Sequence, residues 1–382
     1  MSEEIRSSKK NIKIAIIAGE KSGDQLGGPL MEAIKIHYPN AEFIGVGGDS
    51  MKKQGLNSFF NMEDIAVMGI IEPLLSLRKI LRLRRDVNFF FKNQNPSLFI
   101  GIDSPDFNLP IAKFLKNELN IKTVQYVSPS VWAWRKGRIK KMEKSIDAVF
   151  TLFPFEKEAY KNSSIEAYFI GHPLAYKIPI LIEKKILREE RGFANSQKII
   201  ALLPGSRKSE VSLVGNQLVE AAQLIKADFP ETRFLMPLAN PDHQKLIKID
   251  NDNGLIEFSV GDSREILAVS DLAIITSGTA TLESLLFKTP CVTIYKINWL
   301  SFKIIKPLLK ISNFSLPNLL AEKRLLPELL QNEVTPQNIH QNFLEIYNKR
   351  NETYVKEFTA IHESLMAGGS PYAAKIIKEL IE

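Results

Sequence analysis

The sequence predicts two α/β domains, each built on a doubly wound parallel sheet. The 382 residues exceed what a single hydrophobic core usually holds. Apolar, β-branched runs of strand length alternate with helical or loop-like segments, which is typical of parallel sheets covered by helices. This alternation stops at a charged stretch, Ile178–Glu190, and then restarts. We therefore expect two sheets, in two domains that face a cleft.

The predicted strands form two sets separated by the tripeptide Gly171-His172-Pro173. The first set comprises Ile12–Ala18, Glu42–Val46, Leu98–Ile102, Thr123–Val127, Ala148–Leu152 and Tyr168–Ile170. The second set comprises Lys198–Leu203, Arg233–Leu238, Ile256–Val260, Leu272–Ile275 and Cys291–Tyr295. We predict a first domain over residues 1–175 and a second over 176–349. The helical residues at about 350–382 can pack back on the first domain.

Composition and charge narrow the class of protein. Fifty Lys and Arg against 43 Asp and Glu give a net charge of +7, which favours anionic partners or serves solubility alone. The longest uncharged run, Thr123–Trp134, is too short to span a bilayer, and the polar N-terminus lacks the apolar centre of a signal peptide. We expect a cytoplasmic protein. One cysteine and five scattered histidines predict neither a disulfide nor a metal site, and no cofactor is expected.

In parallel sheets, ligands bind beyond the carboxyl ends of the strands. The first strand leads into Gly19–Gly28, where Ser22 and Gln25 have the spacing of a helix capping box and glycines let a ligand approach the backbone. A generic helix cap explains this segment equally well. Gly45–Ser50 resembles a dinucleotide fingerprint, but it has serine at the third glycine and follows the second strand, which argues against a nicotinamide enzyme.

Two residues of the first domain are candidate general bases. Asp103 follows the strand Leu98–Ile102, a position at the lip of the predicted cleft from which a carboxylate could take a proton from a hydroxyl group. Asp103 or Asp106 could instead cap the next helix, and for Asp106 we favour that role. His172 is the competing base, although Gly-His-Pro after a strand could also be a hinge. The segment Gln125–Arg135 sets aromatic residues beside basic ones, which suits either a sugar ring or the core.

The second domain carries a more specific pattern. Pro204–Arg207 follows one strand and offers backbone N–H groups and a guanidinium to a phosphate. Thr276–Glu283 follows a neighbouring strand with small residues at a helix start, and Glu283 could accept ribose hydroxyls. Together these loops predict a nucleoside-diphosphate site. Asp250-Asn251-Asp252 matches a metal-binding Asp-x-Asp pair, but we interpret it as a surface turn. We therefore expect no metal, and positive charge from Arg207 and helix N-termini would stabilise a leaving diphosphate.

Several blocks, in order along most of the chain, resemble the lipid-A-disaccharide synthase family. The blocks are Ala18–Asp24, Ala66–Ile70, Gly101–Asn108, Tyr126–Arg135, Leu203–Arg207, Ser277–Glu283 and Ser315–Leu320. Tyr126–Arg135 is not generic to glycosyltransferases, which makes the match specific. Lys21 and Gly48-Asp49-Ser50 depart from the family pattern, and the second departure could alter contacts of the acceptor loop.

The resemblance implies a glycosyltransferase with two Rossmann-like domains, the GT-B architecture, that acts in lipid A synthesis in a Gram-negative bacterium. Such an enzyme joins UDP-2,3-diacylglucosamine to the 6-hydroxyl of 2,3-diacylglucosamine 1-phosphate, giving UDP and a β-1',6 disaccharide. The resemblance assigns Asp103 as the essential aspartate. By motif position, it also assigns Arg207, Glu283 and Asn318 as UDP contacts. Together with the loops of the second domain, the expected donor-binding residues are Gly205, Ser206, Arg207, Ser277, Gly278, Thr279, Glu283 and Asn318. The residues expected on the acceptor side or in the cleft are Glu20, Ser22, Ser128, Trp132 and His172.

An α-linked donor and a β-linked product imply a single inverting displacement, with Asp103 preferred over His172 as the base. Because both substrates carry acyl chains, we expect association with the cytoplasmic face of the inner membrane. Leucines and arginines recur at helical spacing in one segment, an interfacial amphipathic pattern that could also be a core-facing helix with a solvated basic face. The residues expected to contact the membrane are Leu74, Leu77, Arg78, Leu81, Arg82 and Arg85.

Two other classes remain open at this point. A UDP-sugar epimerase would share the sheets and the nucleotide loops, but it would not need the amphipathic segment. A nucleic-acid-binding protein would use the positive charge, yet no recognised binding motif is present, so we expect no nucleic-acid partner. The sequence makes no prediction of the oligomeric state.

Overall fold

A computed structural model describes residues 11–62, 65, 73–131, 137–248, 254–299, 302–303, 313–349 and 351–382. The chain forms two compact units. Unit 1 contains the described residues of Met1–Pro173 together with Leu365–Glu382, and unit 2 contains those of Leu174–Ser364. The functional roles predicted for two domains, and a cleft between them, stay predictions.

Seven strands among the described residues of unit 1 form one parallel sheet. They are β1 (Lys13–Ala18), β2 (Glu42–Val46), β3 (Leu56–Ser58), β4 (Leu98–Ile102), β5 (Lys122–Tyr126), β6 (Ala148–Thr151) and β7 (Glu166–Phe169). Their order is β3-β2-β1-β4-β5-β6-β7, so the chain changes direction across the sheet between β1 and β4. The loops after β1 and β4 therefore lie beside each other at the position where doubly wound sheets bind ligands.

The helices of unit 1 cover both faces of this sheet. They include α1 (Lys21–His37), α2 (Asp49–Lys53), α3 (Pro73–Gln94), α4 (Pro105–Leu119) and α5 (Gly137–Met142). Side chains of β1 alternate between two buried clusters: Ile14 and Ile16 face Leu30 of α1, whereas Ala15 and Ile17 face Val87 of α3. Burial on both faces explains why this strand reads as a continuous apolar run.

Unit 2 repeats the same architecture with six strands among its described residues. The strands are β8 (Ile199–Leu203), β9 (Arg233–Leu238), β10 (Ile256–Val260), β11 (Leu272–Thr276), β12 (Cys291–Tyr295) and β13 (Glu328–Leu330). All pair in parallel in the order β10-β9-β8-β11-β12-β13. The loops after β8 and β11 are therefore neighbours, as the nucleotide-site prediction requires.

The remaining helices follow the sheet strands along the chain. They are α6 (Pro173–Lys177), α7 (Lys184–Glu190), α8 (Lys208–Asp228), α9 (Ser263–Val269), α10 (Thr279–Leu286), α11 (Leu316–Ala321), α12 (Pro336–Tyr347), α13 (Asn351–Ser364) and α14 (Gly369–Ile381). Helix α14 returns to unit 1, where Ala373, Ile376 and Ile377 join the cluster that contains Leu30 and Ile34 of α1.

The predicted fold class is confirmed, but the capping box predicted at the start of the first helix is wrong. Helix α1 begins at Lys21 and its N-cap is Glu20, which makes no side-chain cap. Ser22 is therefore the second residue of the helix and not the cap of a capping box. A buried carboxylate stabilises the neighbouring turn instead, because Asp24 accepts hydrogen bonds from the backbone N–H groups of Gly48, Ser50 and Met51 at 2.8–3.0 Å.

Candidate active site

A cavity of about 570 Å³ lies at the carboxyl ends of β8, β9 and β11 in unit 2. It collects most of the residues predicted to bind the donor. These are Gly205, Ser206, Arg207, Ser277, Gly278, Thr279 and Glu283. Pro237, Leu238 and Gly261, which sequence reasoning missed, also line the cavity. They follow or end β9 and β10, so the rule that located the other loops could have found them.

The turn after β8 supplies a guanidinium to this cavity. Gly205 has φ +103°, and a side chain there would place its Cβ 2.8 Å from Cβ of Glu210, so the turn requires glycine. Glu210 Oε2 accepts the backbone N–H groups of Ser206 and Arg207 at 3.0 and 3.1 Å. The expectation that these N–H groups face a phosphate is therefore corrected. The Arg207 side chain is 77% exposed, with one nitrogen 3.1 Å from Glu210 Oε1.

The start of α10 supplies backbone donors to the same cavity. Gly278 is the N-cap of α10 and provides no side-chain cap for the first N–H groups of the helix. Its backbone is extended and no atom lies within 4 Å of the position a Cβ would occupy. Neither conformation nor packing requires glycine here, so the space it leaves is available to a ligand. Helix N-termini of this kind bind phosphate groups.

Glu283 faces the cavity with its carboxylate already paired. Its Oε1 accepts a hydrogen bond from Arg264 Nε at 2.7 Å, and the Glu283 side chain is only 10% exposed. Sequence reasoning missed Arg264, because an arginine in the first turn of α9 gives no sign of its partner on α10. The ion pair fixes the carboxylate at the rim of the cavity.

Asn318 lies apart from these residues. It is fully buried and does not line the cavity. Its Nδ2 donates to the Leu326 carbonyl and to Glu328 at 2.9 Å, and its Oδ1 accepts the N–H groups of Leu325 and Leu326. The amide thus ties α11 to the segment before β13, and contact with a nucleotide stays a prediction.

Asp103 faces two cavities in unit 1. One, of about 310 Å³, is shared with Ser128 and Arg138. The other, of about 290 Å³, is shared with Glu20 and Arg84. The structure therefore brings Asp103 together with the predicted acceptor-side residues Glu20 and Ser128. Ser128 is buried, with its hydroxyl 2.8 Å from the hydroxyl of Tyr160. Ser22 is exposed on α1 and lines neither cavity, and Trp132 lies outside the described residues.

The backbone around Asp103 is held in an uncommon conformation. Asp103 and Ser104 have φ of +51° and +38°, and Val127 in the adjacent loop has φ +77°, which is strained for a β-branched residue. Two buried amides hold this arrangement, because Asn108 Nδ2 and Gln125 Nε2 both donate to the Asp103 carbonyl, at 2.9 and 3.0 Å. Strain of this kind is concentrated at functional sites.

The sequence indicated no role for Asn108 or Gln125. Neither residue type nor spacing indicated that both side chains meet at one carbonyl. The Asp103 carboxylate itself accepts one N–H, from Ser104 at 2.9 Å, which turns it back over its own loop. Asp106 does not cap α4, since the N-cap is Ser104. Its carboxylate instead pairs with Arg138.

His172 is not among the described residues that line the two Asp103 cavities. Its ring stacks on Phe153 with a centroid distance of 5.2 Å. Burial lowers the pKa of His172 to about 4, so the imidazole is neutral at pH 7 and a weak proton acceptor. These properties favour the hinge or packing role over the role of base.

Helix α3 presents basic and apolar side chains together on its outward face. Arg78, Arg82 and Arg85 are exposed, and Leu81 and Phe89 have exposed fractions of 53% and 67%. The opposite face buries Leu83, Val87 and Phe91 against the sheet. The side chains of Leu74 and Leu77 lie outside the described residues. The described part of α3 therefore serves the core and also carries the predicted membrane face.

Two further findings concern the described part of the chain only. None of its helices has the length and apolar character needed to cross a membrane. No group of three or more His, Cys, Asp or Glu side chains within it is placed to hold a metal ion. Asp250-Asn251-Asp252 and the block Ala66–Ile70 lie outside the described residues.

Two doubly wound parallel sheets, with cavities at the carboxyl ends of their strands, define a fold class that also contains solved nucleotide-sugar enzymes. A UDP-GlcNAc 2-epimerase from Methanocaldococcus jannaschii has this fold, with a TM-score of 0.62 at 12% identity over 96% of this chain and 100% of its own. The UDP-GlcNAc 2-epimerase from Neisseria meningitidis, solved with bound UDP-GlcNAc, gives a TM-score of 0.61 at 13% identity, covering 96% of this chain and 99% of its own. At such identities these structures show the fold alone.

Sequence comparison is more specific. A sequence model of the lipid-A-disaccharide synthetase family matches residues 14–377, and this chain belongs to that family. A lipid-A-disaccharide synthase from Idiomarina loihiensis is 42% identical over 373 residues, which is 97% of this chain and 98% of the relative. The resemblance carried by the sequence blocks is therefore confirmed, and the epimerase alternative is not favoured.

Proposed function

We propose that this protein is a glycosyltransferase that makes the lipid A disaccharide. It transfers 2,3-diacylglucosamine from its UDP derivative to the 6-hydroxyl of 2,3-diacylglucosamine 1-phosphate and releases UDP. Family membership over nearly the whole chain carries this proposal. The two sites support it, because unit 2 has a cavity suited to a nucleoside diphosphate and unit 1 has a carboxylate that faces two cavities.

The donor's diphosphate is proposed to bind between Arg207 and the start of α10. A guanidinium binds phosphate oxygens with two parallel hydrogen bonds, and the free N–H groups after Gly278 add partial positive charge. Glu283 is proposed to accept the ribose hydroxyls with the carboxylate oxygen that Arg264 leaves free. The ion pair supports this, since Arg264 Nε donates to Oε1 of Glu283.

Asp103 is proposed to act as the general base. Its carboxylate takes the proton of the acceptor 6-hydroxyl while that oxygen forms a bond to the anomeric carbon of the donor. The bond from this carbon to the UDP oxygen breaks at the same time, and UDP leaves with the bonding electrons. One displacement inverts the anomeric configuration, from an α-linked donor to a β-linked product, and no covalent enzyme intermediate is required.

The negative charge that develops on the leaving diphosphate is proposed to be stabilised by the protein itself. Arg207 provides a full positive charge and α10 provides oriented N–H groups, both in place before the reaction begins. On this proposal the transfer needs no metal ion.

The acyl chains of both substrates are proposed to bring the enzyme to the cytoplasmic face of the inner membrane. The outward face of α3 supports this, because exposed arginines interact with anionic headgroups while Leu81 and Phe89 enter the apolar boundary. Binding would then place the Asp103 unit next to the bilayer that holds the acceptor.

Mass spectrometry of the product tests the proposed function. The protein is incubated with UDP-2,3-diacylglucosamine alone, with the lipid acceptor alone and with both. We expect a disaccharide 1-phosphate, and free UDP in equal amount, only when both substrates are present. An epimerised UDP-sugar without a lipid acceptor, or no product from both substrates, would refute the proposal.

A further inference from the structure

The cavity of about 310 Å³ beside Asp103 is also lined by a cation, Arg138. Among the described residues that line it, the ones with a charged side chain are Asp103 and Arg138. Ser128 and Ser130 contribute hydroxyl groups to the same walls. A cavity of this size can hold a monosaccharide headgroup. It therefore offers a sugar headgroup both a carboxylate that can accept a proton and a guanidinium.

The ion pair with Asp106 does not explain why the Arg138 side chain is largely buried. Its Nη2 donates to Asp106 Oδ1, yet the Arg138 side chain is 19% exposed while the Asp106 side chain is 87% exposed. A carboxylate in open solvent contributes little to the free energy of a surface pair. This hydrogen bond uses only one of the three guanidinium nitrogens of Arg138. A planar guanidinium held from one side is prepared to bind an anion from another.

The surroundings of Arg138 favour an anion. Burial raises the pKa of Tyr160 to about 12, so the phenol that is hydrogen-bonded to Ser128 carries no negative charge. Arg138 also borders a groove of about 1260 Å³, in which Arg138 and four lysines outnumber three carboxylates, those of Asp106, Glu143 and Glu158. The groove's lysines are Lys113, Lys140, Lys141 and Lys144. Clustered positive charge raises the local concentration of anionic ligands.

The second Asp103 cavity is a poorer place for an anion, although it also contains an arginine. Arg84 donates to the Asp106 carbonyl and lies over the Phe107 ring at 5.8 Å. Three carboxylates, those of Glu20, Asp103 and Asp106, line that cavity. Carboxylates around a cavity repel a phosphate and disfavour its binding. Of the two cavities, the one with Arg138 is therefore the better phosphate site.

We propose that Arg138 binds the phosphate monoester of the acceptor sugar and selects acceptors that carry it. Asp106 is a positioning residue, which holds the guanidinium toward the Asp103 cavity. A hexosamine 1-phosphate bound in this cavity, with its 6-hydroxyl at Asp103, then has its phosphate at Arg138, which lines the same cavity. This inference rests on the proposed function and deepens it by assigning a residue to acceptor specificity.

The test compares two acceptors, 2,3-diacylglucosamine with and without the 1-phosphate. The ratio of their kcat/KM values is measured for the parent, for Arg138→Gln and for Lys122→Gln, a control that removes an exposed charge of the same unit. We expect the parent to prefer the phosphorylated acceptor by roughly 10- to 100-fold, the effect of a charge-assisted hydrogen bond. The ratio should fall toward one in Arg138→Gln and stay at the parental value in Lys122→Gln.

A second arm separates the phosphate of the sugar from phosphate in general. Glucosamine 1-phosphate should compete with the lipid acceptor in the parent but not in Arg138→Gln, and inorganic phosphate should compete much more weakly. Asp106→Asn should raise the acceptor KM while leaving kcat at saturation near the parental value. That effect should vanish in the Arg138→Gln background, because Asp106 acts through the guanidinium.

The outcomes distinguish this inference from the proposed function. No transfer by the parent to either acceptor would refute the function itself. Transfer with an unchanged preference in Arg138→Gln, or no preference in the parent, would overturn the role of Arg138 alone. Arg138→Lys provides the second variant should the glutamine form fail to bind UDP, and it should retain part of the preference because it keeps the charge without the fork.

Discussion

Arg207 keeps most of its guanidinium in solvent, so its removal should affect a ligand more than the fold. We expect Arg207→Ala to weaken UDP binding by roughly 1.5–3 kcal/mol, the usual contribution of a hydrogen bond to a charged group. Lys208→Ala, which removes the next charge along the chain, should bind UDP like the parent. Isothermal titration calorimetry with UDP checks both, and equal affinity in the Arg207 variant would exclude it from the site.

A second prediction concerns the Glu283 carboxylate, and Glu210 provides its control. Glu283→Gln should weaken UDP binding through the loss of a charged acceptor for the ribose hydroxyls. The same substitution at Glu210, which accepts backbone N–H groups of the turn before α8, should act on the turn and on Arg207 instead. Comparing UDP with the ribose-free ligand pyrophosphate separates the two effects. Only the Glu283 variant should bind pyrophosphate normally.

His172 predicts a pH dependence of stability. Its pKa is lowered to about 4 by burial, against 6.5 for an exposed histidine. Between these two values the unfolded chain binds a proton that the folded chain does not, so the free energy of unfolding falls as the pH falls through this window. Because of His172, the free energy of unfolding should be about 2 kcal/mol lower at pH 5 than at pH 7.5.

Urea unfolding of the parent and of His172→Gln at both pH values measures that effect. The parent should lose about 2 kcal/mol more than the variant on acidification. Equal losses would show that His172 titrates normally in the folded protein, and would restore it as a candidate base.

At the scale of elements, the outward face of α3 separates membrane binding from core packing. Replacing Arg78, Arg82 and Arg85 with Gln should release the protein from anionic vesicles, because each basic residue near such a surface contributes about 1 kcal/mol. Arg84 is left in place, since it contacts the Asp106 carbonyl. The matched control replaces the exposed lysines Lys185, Lys245 and Lys356 with Gln.

Vesicle sedimentation with and without anionic lipid gives the result. Binding that is lost in the arginine variant and kept in the lysine control supports the membrane face. Equal loss in both variants would indicate a dependence on net charge alone, and unchanged binding in both would return α3 to the role of a core helix.

The elements also show what the sequence could and could not predict. Strands β2, β4, β9 and β12 have the predicted bounds, because mostly buried apolar runs between turn residues are visible without tertiary information. Strand β10 also has the predicted bounds although none of its residues is buried, because its apolar residues alternate as in an edge strand. Strands β3 and β13 were missed. Each has three residues and lies at the edge of its sheet, so neither is long enough to show a pattern and only the neighbouring strand defines it.

The candidate site also has features that could be predicted from the sequence and features that could not. Arg207 and Gly278 could be brought together from the sequence, since the strands before them are neighbours in a doubly wound sheet. The Glu210 contacts of the first turn, and the two amides that hold Asp103, could not. These depend on which side chains the packing of α8, α4 and β5 happens to bring to a given backbone group, and spacing along the chain carries no signal of that.

At the scale of the whole molecule, the proposed charge stabilisation predicts that turnover does not depend on a metal. Treatment with EDTA, followed by removal of the chelator, should leave the initial rate of disaccharide formation unchanged, because Arg207 and the start of α10 supply the positive charge. A rate that falls with EDTA and recovers with Mg²⁺ would refute this part of the mechanism.

The central claim is that Asp103 removes the proton from the acceptor hydroxyl. Asparagine keeps the shape of the side chain and can still accept the Ser104 N–H, but it cannot take the proton as the new bond forms. Asp103→Asn should therefore fold and bind UDP normally while turnover falls by roughly 10²–10⁴-fold. The matched control is Asp242→Asn, an exposed aspartate of unit 2 that should turn over at the parental rate.

The most direct test is the turnover of these two variants and the parent, measured by disaccharide formation at saturating donor and acceptor. Affinity for UDP is measured in the same preparations, so that a loss of binding is not mistaken for a loss of chemistry. The account predicts a slow Asp103→Asn enzyme with parental UDP affinity beside a fully active control. Turnover of Asp103→Asn near the parental rate would contradict it and exclude Asp103 as the base.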